Sequence, residues 1–331
     1  MRIFLIVLFT VLLAVTSFGQ QSQIQPGFTD TSEAKNIIKH GLKEGKWIEY
    51  LDDDLDATSD SNASYYKLTI YKVDKAIGIQ RVYYIDGKLY REKTYTNGKA
   101  NGISKVYYES GKLFGEATLS NDLLNGIATA YYENGKIKNE WPYKNDKLNG
   151  VAKEYYENGK LMSETPFTDS LANGVEKDYY EDGALQMETP YKNDNADGVE
   201  KDYYEDGKLE QEIPYSNGNA NGITKYYYED GKIESEYPYI EGKENGIEKL
   251  YYENGNLEEE APYINDTING LYKRYFSDGK VNTEAVFVNG NMNGDVKWYR
   301  ENGKLSQVIQ YHNGIIRGGI RNYDENGEEI N

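Results

Sequence analysis

Val151-Ala-Lys-Glu-Tyr155-Tyr156-Glu-Asn158-Gly159-Lys-Leu161-Met-Ser-Glu164-Thr-Pro166-Phe167-Thr-Asp169, closed by Asn173-Gly174, decides how this chain is read. Val151 to Glu157 carries aromatic and β-branched residues, and Lys160 to Thr168 alternates apolar with polar. Between them stands Asn158-Gly159, a strong hairpin signal because both residues tolerate positive φ. The stretch predicts one β-hairpin, with Asn173-Gly174 marking the turn into the next. The pattern returns along the chain: Tyr131, Tyr155, Tyr179, Tyr203, Tyr227 and Tyr251 are spaced 24 residues apart. Nowhere in the repeated region do apolar residues recur at i, i+3 and i+4, so no amphipathic helix is expected. The fold class follows as all-β: tandem 24-residue hairpins forming an elongated, twisted, curved antiparallel sheet.

Two loop registers are open. A two-residue Asn158-Gly159 loop sets Lys153 opposite Glu164 and Tyr156 opposite Leu161. A three-residue loop with a bulged Gly159 places Val151, Tyr155, Leu161 and Phe167 on one face. The second gathers the recurrent apolar positions on one side and is preferred, since a slip of one residue reverses every side chain. Pro142, Pro166, Pro190, Pro214, Pro238 and Pro262 share one column. Proline donates nothing to a ladder, so the second strand should stop pairing or bend there, and the sheet should curve.

The ends differ from the middle. Arg2, the apolar run Ile3 to Val15 and the small residues Ser17 and Gly19 have the form of an export signal over 1–19, with Gln20 beginning the mature chain. The run is too short to span a bilayer comfortably. The expectation is an exported protein, periplasmic or secreted, with no stable membrane insertion. Residues 20–40 read as a flexible polar leader. The array runs over 41–331. It has a worn first unit over 41–75 with an acidic insertion at 51–63, regular units over 76–294, and a fraying cap over 295–331. Asp52, Asp54 and Asp56 have the spacing of a calcium loop, but Ala57 and Ala63 stand where that loop needs glycine and glutamate. No metal or other cofactor is expected.

The chain has 331 residues, no cysteine and a net charge of −18. Stability must then come from cross-strand packing between neighbouring units rather than from disulfides. The charge argues against nucleic acid and anionic lipid, and favours a neutral or basic partner. Glu92, Glu116, Glu140 and Glu164 begin one charged column, and Lys105, Lys153 and Lys177 belong to another. So many equivalent glutamates beside lysines read as cross-strand ion pairs rather than as a carboxylate pair for glycoside hydrolysis. His40 and His312 lie at opposite ends of the array, and neither a Gly-x-Ser-x-Gly nor a His-Glu-x-x-His motif occurs. No enzyme is expected. If Tyr155's column packs the sheet, the adjacent Tyr132, Tyr156, Tyr180, Tyr204, Tyr228 and Tyr252 face the other way, and they are the candidate partner-binding residues.

The recurrent Tyr-Tyr-Glu-Asn-Gly-Lys, an aliphatic, a Glu, a Tyr and a closing Asn-Gly resemble the variant MORN (membrane occupation and recognition nexus) repeats over about Gly41 to Gly327. The resemblance implies a protein that binds a partner, and bacterial proteins of this type are commonly described as antitoxin-like. With the export signal, this becomes an expectation of a non-catalytic scaffold for protein–protein interaction, antitoxin- or immunity-like in role. The alternative is a cell-envelope glycan-binding protein that stacks sugars on its tyrosine rows.

Overall fold

The computed structural model describes residues 25–330, so the expected export signal lies outside the described residues. The described chain is an open antiparallel meander in which strands pair with their neighbours in sequence. In the unit centred on Asn158-Gly159, the first strand is Gly150–Tyr155 and the second is Leu161–Thr168. A short strand, Leu171–Ala172, and the next unit's Gly174–Tyr179 follow.

The hairpin loop has three residues. Tyr156 N–H donates to Lys160 C=O at 2.9 Å, and Gly159 N–H donates to Tyr156 C=O at 2.8 Å. Gly159 takes φ +91°, which no side chain favours. Below this loop the two strands slip by one residue. Tyr155 faces Leu161 but Glu154 faces Ser163, so Met162 is a second, unpaired bulge residue. The slip restores the pairing that a two-residue loop would have given, Lys153 opposite Glu164 and Val151 opposite Pro166. The preferred face assignment is therefore corrected. Val151 and Tyr155 do share a face, but Phe167, opposite Gly150, lies on the other. One bulge reads from the Asn-Gly dipeptide; the second has no turn residue to announce it.

The turn between units is also corrected. It is not Asn173-Gly174 but Asp169-Ser170, both at positive φ (52° and 70°), closing Thr168 on Leu171. Asn193-Asp194 repeats this geometry, and Asn217-Gly218 and Glu241-Gly242 close the equivalent turns of the next two units. Asn173-Gly174 instead marks where the proline breaks the ladder, as its missing N–H requires. Ser163 and Glu164 pair with Asp178 and Lys177, and Phe167 and Thr168 pair with Ala172 and Leu171. Thr165 and Pro166 thus face the four residues 173–176. Asn173 N–H donates to Pro166 C=O at 2.8 Å, and Gly174 at φ +132° lies against the proline ring.

The first unit pairs Leu42–Leu51 with Tyr65–Lys72, and residues 52–64 loop out between them. The leader is docked, not free, from its first described residues. Gly27 presses on the Ile79 carbonyl, and Arg81 Nη1 donates to Phe28 C=O at 3.4 Å. Phe28 is 5% exposed and completes an apolar cluster with Leu68 and Ile70, flanked by Ile48, Tyr66 and Tyr83. A single phenylalanine in a polar segment supplies the anchor, because it fills a face that the worn first unit leaves open.

Candidate functional site

Strand alternation sorts the repeat into two faces with different chemistry. The ladder face carries Val151, Lys153 and Tyr155 with Glu164 and Pro166. Lys and Glu alternate across the sheet, with Lys177 Nζ 3.3 Å from Glu188 and Lys105 Nζ 3.5 Å from Glu116. Each glutamate also accepts a phenol from the next unit: Tyr155 Oη donates to Glu140 at 2.8 Å and Tyr179 Oη to Glu164 at 3.1 Å. Burial and the neighbouring Glu140 carboxylate push the Tyr155 phenol up to about 12.

The opposite, acid–aromatic face carries Ala152, Glu154, Ser163, Thr165 and Phe167. In the following units the same columns hold Glu176, Asp178, Met187, Thr189 and Tyr191, then Glu200, Asp202, Gln211, Ile213 and Tyr215. No lysine or arginine stands in these columns from Ala152 to Ala261. Small residues beneath the rings are sealed: Ala152 is 7% exposed and Thr189 2%. Burial raises the carboxyls of Glu176, Asp178, Glu200 and Asp202, and neighbouring carboxylates add to the rise at the first three. Glu244 goes furthest, to about 7, through burial and then Glu248. One oxygen each of Asp202 and Glu244 is shut off from water with no hydrogen-bond partner.

Two cavities open on this face. One, of about 240 Å³, lies between Tyr156, Tyr180, Met162, Met187, Asp178 and Asp202. The other, of about 270 Å³, is lined by Trp141, Phe167, Glu154 and Glu176 among others. Carboxylates set among aromatic and methionine side chains attract a cation, by charge and by the ring faces, in a partly desolvated setting where both count for more.

The tyrosines predicted as partner-binding do lie opposite Tyr155's column, but an exposed row is not what the structure shows. Their rings are half-buried and each hydroxyl is used between units. Tyr132 donates to Tyr155 C=O, Tyr156 to Tyr179, Tyr180 to Tyr203, Tyr204 to Tyr227, Tyr228 to Tyr251 and Tyr252 to Tyr275. The distances are 2.7 Å in the first four and the last. Tyr156 and Tyr180 still present ring surface to the first cavity. The carboxylates at Glu176, Asp178, Glu200 and Asp202 were missed by the sequence reading. Their signal was available: the columns that hold Val82, Val106 and Ala130 early in the array turn to Glu154, Asp178 and Asp202 in its middle.

In the acidic insertion, Asp52 Oδ1 accepts the N–H groups of Asp54 and Asp56, at 3.1 and 3.0 Å. Among the described residues no group of three or more metal-binding side chains comes together, and no helix is long and apolar enough to cross a membrane.

One bulged hairpin per 24 residues, paired in sequence order without closure, defines the class of open β-hairpin repeat scaffolds. The model of the MORN repeat variant matches the chain ten times, from residues 77–97 to residues 292–313, and the chain belongs to that family. No curated protein matches it. Among solved structures it is similar to a chain of the Photorhabdus luminescens Tc holotoxin pore, at 12% identity over 86% of this chain and 18% of that one, with a TM-score of 0.19. It is also similar to a chain of the TcdB2–TccC3 crystal structure, at 13% identity over 86% and 19%, with a TM-score of 0.18. The chain spans about a fifth of the length of those chains, and scores this low carry no argument about function.

Proposed function

We propose that this repeat scaffold is a non-catalytic binding protein that takes a basic protein partner on the acid–aromatic face of its middle units. The observation that supports this most is the set of carboxylates Glu154, Glu176, Asp178, Glu200 and Asp202, resumed at Glu248 and Glu259, with no cation in the same columns. Equivalent sites repeated on one sheet add through effective concentration, so modest contacts in each unit give useful affinity. The row Phe167, Tyr191, Tyr215, Tyr239 and Tyr263 supplies apolar contact beside the charge. Export to the periplasm or beyond, and an immunity-like role there, belong to the same proposal; they rest on the segment before Gln20 and on the family resemblance.

The test is titration of the protein with a lysine-rich peptide and, in parallel, with neutral soluble polysaccharides and anionic vesicles. Peptide binding that weakens steeply with salt, and is lost when Glu176, Asp178, Glu200 and Asp202 become their amides, supports the proposal. Polysaccharide binding that survives those changes favours the glycan reading instead. Binding to anionic vesicles contradicts both.

A further inference from the structure

The ladder face carries a second surface of a different kind. Val151's column runs Ile103, Ile127, Val151 and so on to Leu271, eight aliphatic residues 24 apart. All eight are exposed, from 43% at Val175 to 56% at Ile127. Two strands per unit at about 4.8 Å put successive members about 10 Å apart, so the row is about 70 Å long. With the prolines beside it, a strip about 10 Å wide amounts to roughly 700 Å² of apolar surface, larger than most soluble monomers leave uncovered.

The two ends of the row differ from its middle. At the first regular unit the column's residue is Ile79, which is half-buried because the chain's own segment from Gln25 to Phe28 crosses it. At the other end the column becomes Asp295, engaged by Arg321 Nη2 at 2.9 Å. The apolar row therefore starts where the leader leaves off and stops at a charge.

We infer that this row is the contact surface for a second copy of the chain, packed ladder face to ladder face. Charge selects the occupant. The molecule carries a net charge of −18, so two copies repel through most surfaces. On the ladder face each glutamate alternates with a lysine, and the unopposed carboxylates lie on the other side. Spacing selects it too: a second copy matches the 24-residue period at every unit without adjustment. Row against row leaves both Lys–Glu ladders at the rim, where they stay hydrated. The buried strip, roughly 700 Å² per copy, is close to the roughly 800 Å² per partner of a standard interface. This association is independent of the proposed basic partner, whose face it leaves open.

The test is sedimentation velocity of the chain from Gln25 onward, over about 1–100 µM. A species of twice the monomer mass is expected, and Val151→Lys, Val175→Lys and Val199→Lys combined should raise its dissociation constant at least about 100-fold with an unchanged thermal melt. Because the chain has no cysteine, single Val→Cys changes along the row give a second readout: mild oxidation should cross-link copies at one or more of positions 151, 175 and 199. A monomer at 100 µM overturns the inference. So does a dimer that the three lysines do not weaken. An extended leader peptide, Gln25 to Lys39, that binds the monomer along the row and is lost with the lysine variant would assign the surface to a peptide instead.

Discussion

Tyr156 gives its phenol to the backbone of the next unit, and six tyrosines of the same column, from Tyr108 to Tyr252, do likewise. A side chain used this way joins unit to unit at the last residue of each first strand. Tyr156→Phe removes one half-buried hydrogen bond, the one to the Tyr179 carbonyl. The expected cost is about 1 kcal/mol, read as a lower midpoint in urea. Combining Tyr156→Phe with Tyr228→Phe should cost about twice that, since the two bonds lie three units apart and share no partner. The carboxylates of the other face give a prediction in pH. Glu244 has a folded pKa of about 7, above its ordinary value of 4.5. A raised carboxyl favours the protonated folded state, so its contribution is present in full below about pH 4.5 and is lost as pH rises through about 7. Thermal melts should show Glu244→Gln more stable than the parent protein at pH 8, with the gap closing as pH falls to 5. A constant gap would mean that Glu244 titrates normally in the folded chain.

At the scale of the element, proline and glycine act as a pair across the break between units. Pro190 withholds a donor, the ladder opens, and Gly198 at φ +135° fills the opening against the ring. A Cβ on Gly198 would stand 2.6 Å from Pro190 Cγ, so Gly198→Ala combines steric overlap with an unfavourable φ. It should cost about 2 kcal/mol or more. Gly207, in the hairpin loop, also has positive φ, at +81°, but has nothing within 4 Å of the added atom. Gly207→Ala should cost about 1 kcal/mol, from the backbone alone. Equal melts for the two variants would show that the proline contact carries no weight.

For the whole molecule, stability is a sum over units and the contacts between neighbours. Excising Val151 to Gly174 rejoins equivalent surfaces, and the shorter chain should keep its strand signal in circular dichroism and melt cooperatively. Excising Val151 to Asn158 removes a first strand with its loop, so two second strands meet in the wrong direction. That chain should lose most of its cooperativity. If both deletions behave alike, the units are not interchangeable.

The sequence alone determined the period, the hairpins and the all-β class, because a turn glycine at fixed spacing leaves the backbone few choices; the three-residue loop was one of two lengths it allowed. The proline column also told where pairing would fail, since that depends on one missing donor. What it did not determine was which side chains share a face. That depended on Met162, an unpaired residue with no turn chemistry of its own, whose bulge shifts the strand by one and sends Phe167 to the side opposite Val151. Nor did it show that the leader docks. Phe28 is buried only because the tertiary structure brings Leu68 and Ile70 of one strand and Tyr83 of the next beneath it. Local residues set the turns. The pairing of strands across the sheet set the faces, and with them the separation of a bare acidic side from a charge-balanced, apolar one.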